Sequence, residues 1–146
     1  MKKIVCLTAA LLFVAGAILT ESAVAQKTTP FTKANMNMLK GKWEGSADFG
    51  SGFKCQMVLE ITNDAPPFKG NVGWYNIPVG QMQFPGNFSG DTKMEGPFEN
   101  GILSNKGNFL IQGQGGNFGE FSLMGKDLDG WFYIWGARGT ARLKKK

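Results

Sequence analysis

The chain has 146 residues, a formal net charge of +5, no histidine and 2 cysteines. The absence of histidine excludes Ser-His-Asp and Cys-His catalysis as well as His-ligated metal sites, and the length suits one compact domain but not two. We therefore expect a protein that is not an enzyme, with no catalytic residues, no cofactor and no metal site.

An N-terminal segment has the pattern of a secretory signal peptide. Lys2 and Lys3 precede an apolar run over residues 4–19, and the Ala-Val-Ala sequence at 23–25 offers a small-x-small cleavage site. The run is shorter than the about 20 residues that a membrane-spanning helix needs. We predict cleavage after Ala25, which leaves 121 of the 146 residues, and a periplasmic or secreted location.

The composition of the remaining chain excludes further classes of site. Cys55 would be its only cysteine, which excludes an intramolecular disulfide and a cysteine-based zinc site. The last three residues, Lys144, Lys145 and Lys146, carry much of the positive charge, so the rest of the chain is close to neutral. This argues against nucleic-acid binding, which needs a basic face. The three lysines support at most weak contact with an anionic membrane surface.

Strand-like alternation begins after a polar segment, 26–38, that we interpret as a linker. In 39–49 and again in 53–62, apolar or small residues alternate with charged and polar ones. An extended strand places two such sets on opposite faces. Cys55 belongs to the apolar set, so we interpret it as a small buried hydrophobic residue.

Further short strands follow at intervals of roughly 8–12 residues, with no helical period after residue 40. They are predicted over 68–78, 81–84, 93–98, 102–112, 118–125 and 131–143. Asn100-Gly101 and Asp129-Gly130 are predicted as two-residue hairpin turns, because both central residues of a type I′ turn need positive φ. About eight strands predict an all-β domain over 39–146. The expected fold is a single antiparallel up-and-down β-barrel, with a half-open barrel or a β-sandwich as the alternatives.

The start of the first barrel strand resembles that of the calycins, the group of lipocalins, avidins and fatty-acid-binding proteins. Residues 41–43 read Gly-Lys-Trp at the head of this strand, and Arg138 lies on the predicted last strand, with Arg142 as the alternative. In calycins the Trp seals the closed end of the barrel and an Arg packs across its ring. The resemblance implies that Gly41, Trp43 and Arg138 close this barrel. It does not extend to a ligand, because the Thr-Asp-Tyr motif of lipocalins is missing.

The interior of such a barrel is either filled by side chains or left open as a cup for one ligand. The residues predicted to point inward include Trp43, Phe49, Phe53, Met57, Leu59, Ile61, Phe68, Val72, Trp74, Met82 and Phe84. These are bulky, but glycines on the same face return some volume, so both interpretations stay open. A cup would hold a small apolar ligand, acyl or aromatic. Its wall near the open end is predicted to consist of Trp74, Tyr75, Met82 and Phe84.

The predicted last strand carries aromatic residues on both faces. Phe132 and Ile134 share a parity with Arg138, which predicts that all three point inward. The outward stripe would then consist of Trp131, Tyr133 and Trp135. Such a stripe usually marks a partner surface. Two other arrangements would also account for aromatic residues on both faces. Residues 26–38 could fold over the stripe, or a bulge at Gly136 could exchange the two faces.

We therefore expect a secreted or periplasmic, non-catalytic protein that binds a small apolar molecule in a barrel cup. The alternative is an envelope protein-interaction module, either a complex subunit or an enzyme inhibitor. Such a module would bind another envelope protein or a second copy of itself through the aromatic stripe. A cofactor-free enzyme that uses carboxylates with Tyr75 or Tyr133 is the third option. An empty interior favours the first function, an exposed stripe the second, and converging interior polar groups the third.

Overall fold

The computed structural model describes residues 27–50, 53–78, 93–134 and 136–146. The strands in this part of the chain are β1 (Thr28–Thr29), β2 (Gly41–Asp48), β3 (Lys54–Ile61), β4 (Phe68–Tyr75), β5 (Lys93–Leu103), β6 (Phe109–Gln112), β7 (Phe118–Met124), β8 (Asp127–Ile134) and β9 (Ala137–Lys145). Two short 3-10 turns occupy Met36–Leu39 and Gln114–Gly116. The predicted signal peptide lies outside the described residues. Among the described residues, no helix is both long and apolar enough to cross a membrane.

Strands β2 to β9 form a closed antiparallel barrel. Each strand pairs with its neighbours in the chain, and β9 returns to pair with β2 from Trp43–Lys145 to Asp48–Thr140. This confirms the predicted all-β, up-and-down barrel of eight strands. The short β1 lies outside the barrel, where it pairs with Leu123 and Met124 of β7.

The alternation within each strand sends one set of side chains into the barrel, where they are buried. The largest fully buried side chains are Trp43, Phe68, Phe98, Phe109, Phe121 and Phe132. At the end where β2 begins and β9 ends, here called the Trp43 end, the Phe68 and Phe109 rings meet edge to face with centres 5.5 Å apart. The opposite end, where β4 ends, is called the Trp74 end. Most of the interior is therefore filled, as one of the two sequence interpretations required.

The segment predicted as a linker packs on the barrel instead, as far as residues 27–38 show. Phe31 is buried, and its backbone N–H donates to the carbonyl of Gly107. The following 3-10 turn brings Leu39 into the core with no exposed surface. The polar composition of 26–38 does not predict this packing. One or two buried residues are enough to hold a short segment on the barrel, and they produce no hydrophobic period in the sequence.

The hairpin turn predicted at Asn100-Gly101 is not formed. Strand β5 runs continuously from Lys93 to Leu103, and Gly101 pairs with Phe68 beside an irregularity in the register with β4. A Cβ at Gly101 would lie 2.7 Å from the Cβ of Phe68. The glycine is required by this close approach of two strands, not by a turn.

The hairpin turn predicted at Asp129-Gly130 is also wrong, and so is the single last strand over 131–143. Both residues lie within β8, where a Cβ at Gly130 would stand 2.1 Å from the Glu120 carbonyl oxygen. The turn falls at Gly125, which has a φ of +65°. A second turn at Gly136 then separates β8 from β9, with Ile134 pairing Ala137. The strand predicted over 81–84 lies outside the described residues.

Candidate functional site

The Trp43 end of the barrel is closed by the indole itself. Trp43 is 1% exposed, and its Nε1–H donates to the Leu39 carbonyl at 2.7 Å. The Nζ of Lys145 lies 5.4 Å from the centre of the Trp43 ring and donates to the Met38 carbonyl at 2.7 Å. Gly41 begins the strand at a φ of +123°, beside the Lys145 side chain. The barrel floor is thus a Trp covered by a cation from the last strand.

That cation is not the predicted Arg138, which lies on the outer face of β9. The two-residue turn at the end of β8 places Arg138 directly opposite Tyr133, so the two side chains share the outward face. Its guanidinium lies 4.6 Å from the centre of the Trp131 ring. The alternative, Arg142, is also outside and donates through Nε to Asp127 at 3.0 Å. The prediction was wrong because it assumed that the alternation of inward and outward residues continues through Gly136 without a turn.

At the Trp74 end, aromatic rings from β4, from β8 and from the loop between β2 and β3 meet inside the barrel. The rings of Phe49 and Phe132 have centres 5.0 Å apart, and Trp74 lies 6.0 Å from Phe132. Phe49 also meets Phe53 edge to face at 5.2 Å. Such tilted and edge-to-face arrangements are favourable for aromatic pairs. These rings form one wall of the space described next.

A cavity of about 150 Å³ lies beside these rings. Its buried apolar lining consists of Met57, Val72, Trp74, Ile111, Phe132 and Ile134; Met94 is partly buried, and Phe118 reaches the cavity from the first position of β7. Gly96 also lines it, and a Cβ built on this glycine would meet no atom within 4 Å. The side-chain position at Gly96 therefore faces empty space, so this glycine contributes volume to the cavity.

Within the part of the chain that the structure describes, the cavity reaches an interruption in the barrel wall, here called the β5 gap. The ladder between β5 and β6 consists of the pairs Ile102–Leu110 and Leu103–Phe109 and a bridge between Phe98 and Gly113. Within the described residues, 93–97 has no ladder partner on the side of β6. Gly96 and Pro97 line the cavity on one side of this gap, and Gly113 and Asn117 line it on the other. The cavity is thus bordered by buried side chains inside the barrel and, at the gap, by two glycines with Pro97 and Asn117.

The four residues predicted for the cup wall are not brought together. Trp74 lines the cavity, but Tyr75 is on the outer face of β4, where its hydroxyl donates to Glu95 Oε2 at 2.7 Å. This hydrogen bond raises the pKa of Tyr75, and together with Lys93 it lowers the pKa of Glu95. Met82 and Phe84 lie outside the described residues. Tyr75 follows Trp74 directly, so a strand necessarily separates their side chains.

The outward aromatic stripe is present as far as the described residues show. Tyr133 is 43% exposed, and Trp131 lies half-buried beside Phe118, with ring centres 5.3 Å apart. The Nε1–H of Trp131 donates to Glu120 Oε2 at 3.1 Å, and Glu120 Oε1 accepts from Asn108 Nδ2 at 2.6 Å. Trp135 lies outside the described residues. Two contacts therefore hold Trp131 in one orientation. Glu120 binds the edge of the indole through its N–H, and Arg138 stacks on its face.

Other reactive groups are dispersed. Among the described residues, no three His, Cys, Asp or Glu side chains lie close enough to hold a metal ion. Cys55 faces inward with 6% exposure, and burial raises the pKa of its thiol to about 11. The terminal lysines do not act together, because Lys145 turns to Trp43 while Lys146 lies 3.4 Å from Glu44. The predicted weak contact with a membrane surface stays a prediction.

No protein-family model matches this chain, and no curated protein or solved structure matches it either. The closed antiparallel barrel of eight strands is compatible with a calycin-like fold. The function has to be inferred from the cavity and the outer surface alone.

Several residues that shape the site are not predicted from the sequence. Met94, Gly96, Asn117 and Phe118 are not among the predicted site residues, and Lys145 is predicted only for contact with a membrane surface. A signal existed for Lys145, because it shares the parity of the apolar Ala141 and Leu143 on the last strand. The remaining four depend on where β5 and β6 stop pairing, which alternation within one strand does not determine.

Proposed function

We propose that this protein is a non-catalytic binding protein, periplasmic or secreted, that holds one small apolar molecule at the Trp74 end of a calycin-like barrel. The observation that carries the proposal is the cavity of about 150 Å³, whose lining is largely buried apolar side chains. An apolar cavity of about this volume in another protein stays dry and binds benzene. Hydrophobic contact with Trp74 and Phe132 would supply the affinity.

The sequence leaves open whether the ligand is acyl or aromatic, and the size of the cavity bears on this choice. Pockets for drug-sized ligands have volumes of about 300–1,000 Å³, well above this one. A long acyl chain therefore does not fit without rearrangement of the core, whereas one ring or a short alkyl chain does. The two thioethers of Met57 and Met94 suit an aromatic guest, since sulfur makes favourable contacts with ring edges.

Native mass spectrometry of the protein purified without detergent from its own envelope fraction tests this function. We expect a monomer that carries one small apolar adduct, or a bare monomer that takes up toluene in a one-to-one ratio. A bare protein that binds neither aromatic nor aliphatic probes of any length would contradict the proposal.

A second candidate function is protein interaction through the stripe of Trp131 and Tyr133. It is favoured by the fixed orientation of Trp131, because an exposed aromatic residue that is already ordered loses little side-chain entropy when a partner binds. Arg138 extends the same surface with a cation. Aromatic residues and arginine are the side chains most enriched where proteins bind tightly. The partner would be another envelope protein or a second copy of this chain.

Gel filtration and cross-linking of Tyr133→Ser test this second function. We expect the variant to keep its free energy of unfolding and to lose self-association or partner capture. Ile102→Ser is the control, because Ile102 is 49% exposed on the outer face of β5, away from the stripe. Equal association of wild type and both variants would remove the support for this candidate.

A further inference from the structure

The β5 gap and the empty position at Gly96 restrict what the cavity can accept. The inside of the barrel ends against Met57, Trp74 and Phe132, which are all buried. On the opposite side Gly96 and Gly113 leave the wall thin, with Glu95, Pro97 and Asn117 beside them, and β5 has no partner there within the described residues. A guest is thus enclosed by side chains on one side and meets the gap on the other.

We propose that the cavity takes a single aromatic ring with one linear substituent, with the ring against Trp74 and Phe132 and the substituent leaving through the β5 gap. Gly96 is the residue that sets the size limit. This inference rests on the proposed function, because it specifies the ligand of the same cavity. The gap lies in the side of the barrel, so the substituent does not have to pass the rings of Phe49 and Phe53.

Gly96 lies on the inward face of β5. It shares the inward parity of Phe98, whose side chain is 2% exposed in the core, and it pairs with Val72 across the ladder. It lies in a regular strand, so a larger residue is tolerated by the backbone there. A side chain added at this point would enter the cavity, because nothing occupies the first 4 Å around the new Cβ. A leucine there would fill the space that a ring needs.

The shape of the cavity favours a ring with one substituent. A ring with several branches would press against the packed side of the cavity as well as the gap. Protein interiors are close-packed, and a surplus methyl group inside them meets strong resistance. A single chain pointing to the gap avoids this contact. The cavity should therefore distinguish n-butylbenzene from mesitylene, both larger than toluene, by more than the roughly fourfold that the one extra carbon of n-butylbenzene contributes.

Binding of four probes to the protein expressed from its full sequence tests the inference by calorimetry or by ligand-observed NMR. The probes are toluene, n-butylbenzene, mesitylene and decanoate. We expect toluene and n-butylbenzene to bind with affinities within about tenfold of each other, and mesitylene to bind at least tenfold more weakly. Gly96→Leu should weaken toluene binding at least tenfold. Ser46→Leu is the matched control, because it adds the same side chain to an exposed position on the outer face of β2.

The outcomes separate this inference from the proposed function. Undiminished toluene binding by a folded Gly96→Leu would overturn the role of Gly96. Equal binding of mesitylene and n-butylbenzene would overturn the exit through the β5 gap. The wild-type protein could instead bind decanoate and not toluene, with decanoate binding lost in Gly96→Leu. This result would support the proposed function and contradict the inference that the ligand contains an aromatic ring. Failure of all four probes with the wild-type protein would reject the proposed function itself. Should Gly96→Leu not fold, Gly96→Ala provides the same test with a smaller loss.

Discussion

Lys145 lies directly opposite Trp43 in the ladder between β9 and β2, and its ammonium group covers the indole at 5.4 Å from the ring centre. The same ammonium donates to the Met38 carbonyl at 2.7 Å. One side chain therefore connects the last barrel strand, the first barrel strand and the 3-10 turn that precedes it. This arrangement has the form expected from the calycin resemblance, with a lysine in the place expected for an arginine.

Replacing Lys145 by alanine should lower the free energy of unfolding by about 1 kcal/mol, because a cation–π contact made by a solvent-exposed cation contributes roughly that amount. Urea titration of the variant measures the effect. Lys144→Ala is the control, since Lys144 lies on the outer face of the same strand and pairs with Glu44 and Asp127 in the ladders. Equal losses in the two variants would show that charge at the C-terminus matters and the stacking does not.

Removing the Trp43 side chain should cost much more. Trp43→Ala deletes a buried ring at the floor of the barrel, and large-to-small changes of this kind cost about 3–5 kcal/mol. Trp43→Phe should cost less, because it keeps a ring but leaves the Leu39 carbonyl without the indole donor. Denaturant titration provides both values. A loss below about 1 kcal/mol for Trp43→Ala would show that the residue is not part of the core.

Two glycines should respond to alanine in opposite ways. A Cβ at Gly45 would lie 1.9 Å from the Arg142 carbonyl oxygen, so Gly45→Ala must push β2 away from β9. Overpacking of this type costs about 1–3 kcal/mol or more. Gly96→Ala meets no atom within 4 Å and should leave stability unchanged or slightly raised. Thermal unfolding of the pair checks the contrast, and a similar drop in both would contradict the open space at Gly96.

Cys55 should be unreactive in the folded protein. Its pKa is raised from 9.0 to about 11 by burial, so near pH 8 its thiolate fraction is about 100-fold below that of an unperturbed thiol. Because the folded pKa is the higher one, the protonated thiol favours folding below pH 9, and this contribution is lost as the pH rises through about 11. Mass mapping of the Cys55 peptide after iodoacetamide treatment should show labelling only in denaturant. Rapid labelling of the native chain would place Cys55 at an accessible surface.

Alternation was sufficient to predict the architecture, because inward and outward residues are clearly different in β2 and β3. In β3, Cys55, Met57, Leu59 and Ile61 are all buried, as the period indicated. Turns were predicted less well, since Asn100-Gly101 and Asp129-Gly130 have the composition of hairpins but lie inside strands. In both places the glycine is needed because another strand passes too close for a Cβ. A single sequence does not distinguish these two reasons for glycine.

The candidate site was harder to predict than the fold for a related reason. Assigning Arg138 to the interior required that no turn intervene between Phe132 and Leu143, yet Gly136 adopts a φ of +81° and begins a new strand. Because Ile134 pairs with Ala137 across this turn, the inward positions change from even to odd residue numbers in β9. The cavity depends on where pairing between β5 and β6 stops and on one absent side chain at Gly96. Neither property is visible in the periodicity of a single strand.

The pairing of β9 with β2 has a consequence for how the chain can be made. The barrel cannot close until its last nine residues, Ala137–Lys145, are available to join strands more than 90 residues earlier in the chain. Contacts of such long range form slowly and late in folding. A polypeptide of this design stays open until β9 has been made. That delay suits an exported chain, which must cross a membrane before it folds, and the predicted N-terminal signal would make use of it.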